Sequence, residues 1–254
     1  MRAKKSLGQN FLKSEIALRQ IVEAGEIKKS DVILEIGPGK GALTERLLDS
    51  GCELIAVEKD HELYELLQIK FEKEILSGRL KLIRGDILNF KIEDCKAANK
   101  SYKIIANIPY NITGAILKKF LTADQQPEIM VLMVQHEVAT RILARDGKES
   151  ILSISIKAYG EPKMVAKVDR RYFSPAPKVN SAIISIKNIS RDMFHSTPEE
   201  RFWEIVKLGF AHKRKKLSGN LKNIISTEKL SLGSFQDKRA EDLALADWIL
   251  LAKS

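Results

Sequence analysis

Between residues 31 and 135, short apolar runs alternate with stretches whose apolar positions recur every three or four residues. Asp31-Val-Ile-Leu-Glu-Ile-Gly37 is a β-branched run closed by glycine, the pattern of a buried strand. A helix is expected from about Gly41 to Asp49, then a strand over Glu53–Glu58, a helix over His61–Glu74 and a strand over Leu80–Ile83. Tyr102–Ala106 reads as a fourth strand, Thr113–Leu121 as a helix and Ile129–Val134 as a fifth strand. Strands alternating with helices of this length predict a doubly wound α/β domain, a parallel sheet covered by helices on both faces.

Beyond residue 135 the pattern changes. Ser150–Tyr159 fits either an alternating strand or a helix, and periodicity does not decide between them. Lys163–Val168 and Ala182–Lys187 read as strands flanking the loop Arg171-Tyr-Phe-Ser-Pro-Ala-Pro-Lys178, which would add a hairpin at the edge of the sheet. From Thr197 onward the chain reads as helices, with Leu217, Leu221, Ile224 and Ile225 on one face and apolar cover from Trp248 to Leu251. The expected division is an α/β domain over residues 1–190 and a small all-helical domain over 191–254.

Charge narrows the possible partners. Lys and Arg number 43 against 33 Asp and Glu, a formal net charge of +10, which favours a polyanionic partner, nucleic acid or an anionic membrane surface. The first thirteen residues carry Arg2, Lys4, Lys5 and Lys13 without an acid, and the densest run is Lys213-Arg214-Lys215-Lys216. No apolar run approaches the roughly 18 residues of a membrane span. Met1–Ser14 lacks the apolar stretch of a secretory signal, so the cytoplasm is the expected location. Two cysteines, Cys52 and Cys95, suffice for neither a disulfide framework nor a zinc knuckle, and no metal-ligand cluster is read among the four histidines.

The candidate chemistry sits at strand ends. Glu35-Ile-Gly37-Pro38-Gly39-Lys40-Gly41 closes the first strand and opens a helix, where glycines allow a tight turn and close approach of a ligand. With Ala42 it also fits the dinucleotide spacing G-x-G-x-x-A, which leaves a nicotinamide enzyme open. Glu58 ends the second strand, where a carboxylate can accept from both hydroxyls of a ribose, of NAD or of S-adenosylmethionine alike. Asp86, after the third strand, can accept from an adenine amino group or simply cap a turn. The fourth strand ends in Asn107-Ile108-Pro109-Tyr110. An amide, a proline-held backbone carbonyl and an exposed aromatic offer two acceptors and a stacking face to a planar amine such as N6 of adenine, or to a side-chain amide, and the nicotinamide reading explains none of them.

With these residues together, the sequence resembles the small-subunit ribosomal RNA adenine N6,N6-dimethyltransferase family almost end to end. The resemblance rests on Gly8-Gln-Asn-Phe-Leu12, Glu35-Ile-Gly-Pro-Gly-Lys-Gly-Ala-Leu-Thr44, Val57-Glu58, Gly85-Asp86, Asn107-Ile-Pro-Tyr-Asn-Ile112 and Phe173-Ser-Pro-Ala-Pro-Lys-Val-Asn-Ser181. Phe210–Leu221 is similar to the family's basic helix. Asn180 departs from the family's frequent Asp, and His136 stands where Lys is common. The resemblance implies a Rossmann-like S-adenosylmethionine-dependent domain with a mostly parallel seven-stranded sheet. Asn10, Leu12, Gly37, Glu58, Asp86 and Asn107 would hold the cofactor, which leaves as S-adenosylhomocysteine. Asn107, Ile108, Pro109, Tyr110 and Phe173 would hold the target adenine, the last two by stacking, and Lys213, Arg214, Lys215 and Lys216 would bind RNA. The implied substrate is a pair of adjacent adenines in a hairpin near the 3′ end of 16S rRNA in the small ribosomal subunit, methylated during its biogenesis, with no metal, no membrane and a monomer as the default. Two alternatives share the fold: a macrolide-resistance 23S rRNA adenine N6-methyltransferase and a non-catalytic assembly factor.

Overall fold

The computed structural model describes residue 4 and residues 7–91, 101–212, 214–226, 230 and 234–253. The chain falls into two compact units, one of residues 1–139 and 161–189, the other of residues 140–160 and 190–254.

The first unit is built on a seven-stranded sheet. Its described elements are β1 (Phe11–Leu12), α1 (Glu15–Ala24), β2 (Val32–Ile36), α2 (Ala42–Asp49), β3 (Glu53–Glu58), α3 (His61–Lys70), α4 (Glu72–Leu76), β4 (Leu80–Arg84), β5 (Tyr102–Asn107), α5 (Thr113–Leu121) and β6 (Ile129–Gln135). After α6 (His136–Leu143) and α7 (Ile151–Lys157) come β7 (Glu161–Val168), β8 (Phe173–Ser174) and β9 (Ser181–Lys187). The sheet order is β4-β3-β2-β5-β6-β9-β7, and a separate pair joins β1 to β8. The strands from β4 to β6 run parallel, and β9 is antiparallel to both its neighbours.

Each residue of β2 is buried, as are Ile129–Val134 of β6, because helices cover both faces of interior parallel strands. β7, on the edge, alternates exposed and half-buried positions and turns Lys163 and Lys167 to solvent, a charged edge that discourages pairing with other chains. α1 has no counterpart in the pattern read above. Ser14 caps it by accepting from the Ala17 N–H, and Ala17, Leu18 and Ile21 form its buried face.

Two expectations change and one open reading closes. The helix over His61–Glu74 is two helices, because Phe71 leaves helical geometry at φ −115°, ψ 30° and buries its ring. Ser150–Tyr159 is helical: Ser150 and Ser153 form a reciprocal capping box ahead of α7. The two units also divide near residue 190, but residues 140–160 join the second one. There Tyr159 stacks near Trp203 of α8 (Glu199–Gly209), and Glu149 N–H donates to Glu241 O. That unit also contains α9 (Leu217–Leu221) and α10 (Leu245–Lys253). Its core includes Phe202, Leu217, Leu221, Ile225 and Trp248; Phe210 stacks on Trp248 at 5.4 Å between ring centroids.

Candidate active site

From β2 the chain moves outward through β3 to β4, then returns to place β5 on the other side of β2. At such a switch point the loops leaving adjacent strands diverge, and a crevice opens beyond the strands' carboxyl ends. In this chain those ends are Gly37 after β2 and Asn107 at the end of β5. A cavity of about 600 Å³ lies there, and Asn10, Leu12, Gly37, Glu58, Asp86, Asn107, Ile108, Pro109 and Tyr110 all line it.

The glycine turn is shaped by contacts far along the chain. Gly41 has φ +79°, and a Cβ there would lie 2.5 Å from the Phe71 ring. Gly39 has φ +62°, and its Cβ would meet the Phe11 ring at 3.1 Å. Both positions favour glycine for backbone conformation, and Gly41 also for space. The N–H of Gly39 donates to Glu58 Oε2 at 3.0 Å, and Asp60 N–H donates to Glu58 Oε1 at 2.8 Å, so the Glu58 carboxylate ties the turn after β2 to the turn after β3.

Four carboxylates surround this end of the sheet in different environments. Glu35, 1% exposed inside β2, accepts from Thr44 Oγ1 at 2.7 Å, and burial pushes its carboxyl up to about 8, the hydroxyl bond pulling the other way. Burial also raises Glu58, against the backbone N–H bonds that favour its charged form. Asp86 is lowered, chiefly by Lys59 Nζ at 2.8 Å from Oδ2, while its Oδ1 accepts from Leu88 N–H at 2.9 Å. Asp86 is therefore both a turn cap and a lining residue. Asp60 is lowered by bonds from Lys4, Gln9 and Glu62 that outweigh its desolvation.

At the end of β5, Asn107 Nδ2 donates to Asn10 O at 3.2 Å. With the donor end of the amide committed to the N-terminal arm, Oδ1 is left as an acceptor that no described residue uses. The next side chain, Ile108, is buried, and Pro109 holds φ −61°, ψ 129°. The Tyr110 hydroxyl bonds to Ser181 Oγ at 2.5 Å, which fixes the plane of its half-buried ring at the cavity wall. The arrangement presents an amide oxygen, a backbone turn and an aromatic ring to a cavity with four acidic side chains, Glu35, Glu45, Glu58 and Asp86, in its lining.

The sequence profile of ribosomal RNA adenine dimethylases matches residues 1–254. The chain belongs to the ribosomal RNA adenine dimethylase family. It is similar to a protein of Dehalococcoides mccartyi named ribosomal RNA small subunit methyltransferase A, 39% identical over 98% of this chain and 87% of that one. A protein of the same name from Thermosynechococcus vestitus is 37% identical over 100% and 97% of the two chains. Among solved structures, a dimethyladenosine transferase of Plasmodium falciparum superposes with a TM-score of 0.79 at 26% identity, covering 95% of each chain. The 23S rRNA methyltransferase ErmE does so with a TM-score of 0.77 at 25% identity, covering 96% of this chain and 98% of that one.

A dimethylase of this family uses S-adenosylmethionine, and the cavity fits it. The cofactor carries sulfonium and ammonium charges on an apolar and nucleoside frame. Glu35 and Glu58 place buried carboxyls beside the apolar Ile36, Leu63 and Ile87, and a cationic ligand would relieve their desolvation.

Two expectations for the dimethylase site do not survive the structure. Phe173 is 3% exposed and belongs to the core, because β8 pairs with β1 and sets Phe173 opposite Leu12. Its ring offers no stacking face; the neighbouring Ser174 lines the cavity instead. The described part of the basic run is not helical: Arg214–Lys216 lie in the connection between α8 and α9, and Lys213 lies outside the described residues. Arg214 and Lys215 are exposed, and Lys216 is paired with Asp237 at 2.7 Å. Glu35 has no role in the motifs above, although a lone acid inside an apolar strand is an anomaly that points to a site. Asp60 and Ser181 carry no local signal, because their partners lie far away in the chain.

Proposed function

We propose that this chain transfers methyl groups from S-adenosylmethionine to N6 of two adjacent adenines near the 3′ end of 16S rRNA, giving N6,N6-dimethyladenosines and S-adenosylhomocysteine. The observation that carries this reading is the Asn107 amide, fixed through its nitrogen with its oxygen free as an acceptor. When bound, the cofactor supplies an electrophilic methyl group. The chain supplies position and charge. Exocyclic N6 is a poor nucleophile because its lone pair is delocalised into the ring. Asn107 Oδ1 and the Ile108 carbonyl would each accept one of its hydrogens and orient the lone pair. The nitrogen becomes strongly acidic once it carries a fourth bond, so its proton passes to water without a dedicated base, and no metal is invoked.

The base must leave its stack to enter the cavity. Tyr110 then provides a stacking face, worth about 1–3 kcal/mol by analogy with other such platforms. Glu58 would hold the cofactor's ribose, Asp86 its adenine and the Gly37 backbone its amino-acid end, with Asn10 and Leu12 covering it. Arg214 and Lys215 would contact RNA phosphates. The expected setting is a monomer acting on the small ribosomal subunit in the cytoplasm. The nearly equal likeness to ErmE supports a second reading, methylation of large-subunit RNA, whereas the relatives at 36–39% identity favour the small subunit. Labelled methyl transfer to unmodified small and large subunits in parallel separates the two. Label in the small subunit alone supports the proposal, and label in the large subunit alone overturns it.

A further inference from the structure

Asp60 starts as an ordinary helix cap: its side chain accepts from Glu62 N–H at the start of α3. A cap requires one oxygen and tolerates exposure. This carboxylate is 2% exposed and has further donors. Oδ1 also receives Lys4 Nζ at 2.8 Å, and Oδ2 receives Gln9 Nε2 at 2.7 Å. Lys4 N–H in turn donates to Gln9 Oε1 at 2.7 Å, and Lys4 Nζ reaches Glu62 at 2.8 Å. The backbone N–H of Asp60 holds Glu58 Oε1. Capping α3 explains one of these contacts; the bonds from Lys4 and Gln9 hold the N-terminal arm.

The arm is also held on the other side of the cavity. Asn10 O accepts from Asn107 Nδ2, and Asn10 Nδ2 donates to Gly8 O at 3.1 Å. Phe11 lies against Gly39, with Lys40 Nζ 4.9 Å from its ring centroid. Leu7–Leu12 all line the cavity. One short segment thus bonds to the turn after β3, which carries Glu58, and to the end of β5, which carries Asn107.

We propose that Asp60 is a positioning residue, the anchor by which Lys4 and Gln9 fasten the arm across the cofactor end of the site, so that cofactor retention depends on a contact outside the cofactor's own shell. The identity of the cofactor rests on the function proposed above.

The test uses the full chain with Lys4→Met, Asp60→Asn and both together. Lys4→Met leaves the buried cap intact, and Asp60→Asn keeps an oxygen for Glu62 N–H, so the variants remain folded. Each single change should weaken S-adenosylmethionine binding roughly 5–20-fold, the range of a partly exposed charge-assisted bond. It should also speed amide hydrogen exchange at Leu7–Leu12. In turnover, KM for the cofactor should rise at least threefold more than kcat falls. Because both changes break the shared Lys4–Asp60 contact, the double variant should lose less than the sum of the two singles. Unchanged affinity and exchange in both singles, or fully additive effects in the double, overturns the proposal. Exchange at Leu7–Leu12 judges the anchor whether or not methyl transfer occurs. Failure of the functional reading would appear separately, as a wild-type chain with protected arm amides and no transfer to either subunit.

Discussion

Replacing Asn107 by alanine removes one interaction that the structure shows and one that the proposed mechanism requires, each on a different atom. Nδ2 donates to Asn10 O at 3.2 Å and belongs to the arm. Oδ1 faces the adenine amine in the proposed mechanism. Loss of the first is an ordinary hydrogen-bond deletion, about 0.5–1.5 kcal/mol of stability, and a shift of about 2–4 °C in Tm per kcal/mol for a domain of this size. Loss of the second removes a preorganised acceptor at the reacting atom, and by analogy with single donors in other polar sites kcat should fall about 10²–10³-fold, or roughly 2.7–4 kcal/mol. Asn107→Asp keeps an acceptor toward the cavity but sets an oxygen against Asn10 O, so its rate should lie between wild type and alanine. The assay is single-turnover methyl transfer to undermethylated small subunits at saturating S-adenosylmethionine, with cofactor affinity measured by calorimetry. An alanine variant within tenfold of wild type refutes the assigned role. So does a rate loss fully explained by weaker cofactor binding.

The buried Glu35 makes a pH prediction. Its carboxyl titrates at about 8 in the folded chain against an ordinary 4.5, so between those values the folded state holds the extra proton. Stability from this group is greatest below about pH 4.5 and declines until about pH 8, by an amount on the order of a few kcal/mol; urea unfolding of wild type and Glu35→Gln across this range should show the decline in wild type and its loss in the variant. Gly41→Ala forces a side chain to φ +79° and to 2.5 Å from Phe71; the left-handed penalty and overpacking together should cost about 2–5 kcal/mol in denaturant unfolding. Changing Arg214 and Lys215 to Gln should flatten the slope of log RNA affinity against log salt by roughly 1.4–1.8. Lys216→Gln should change it less, because Asp237 already pairs with that lysine, and an unchanged slope in the double variant removes the run from the RNA surface.

The parallel strands, their order along the chain and the residues at their carboxyl ends were legible because each depends on local pattern: β-branched runs, helical periods, glycines at fixed spacing. These suffice to bring Gly37, Glu58, Asp86 and Asn107 to one cavity, since the doubly wound fold puts strand ends on one side. Contacts between distant short segments were not legible. Phe173 is buried by a two-residue strand paired with another two-residue strand, too short for any periodicity to register. The break at Phe71 has no proline or glycine to mark it, and its ring packs close to Gly41, thirty positions away. The bond from Lys4 to Asp60 spans 56 positions and involves side chains that look like ordinary surface polar residues. Glu35 was visible as an anomaly within its strand, but its raised titration depends on how fully the sheet and α2 enclose it.

The most direct test of the central claim is nucleoside analysis of small-subunit RNA from cells unable to make these modifications, after incubation of the subunits with the chain and S-adenosylmethionine. The account predicts N6,N6-dimethyladenosine at two adjacent adenines near the 3′ end of 16S rRNA, one S-adenosylhomocysteine per methyl group, and product from Asn107→Ala lower by about a hundredfold or more at matched early times. Methylation at another base or atom, or a wild-type chain that binds the cofactor yet leaves these adenines unmodified, would contradict it.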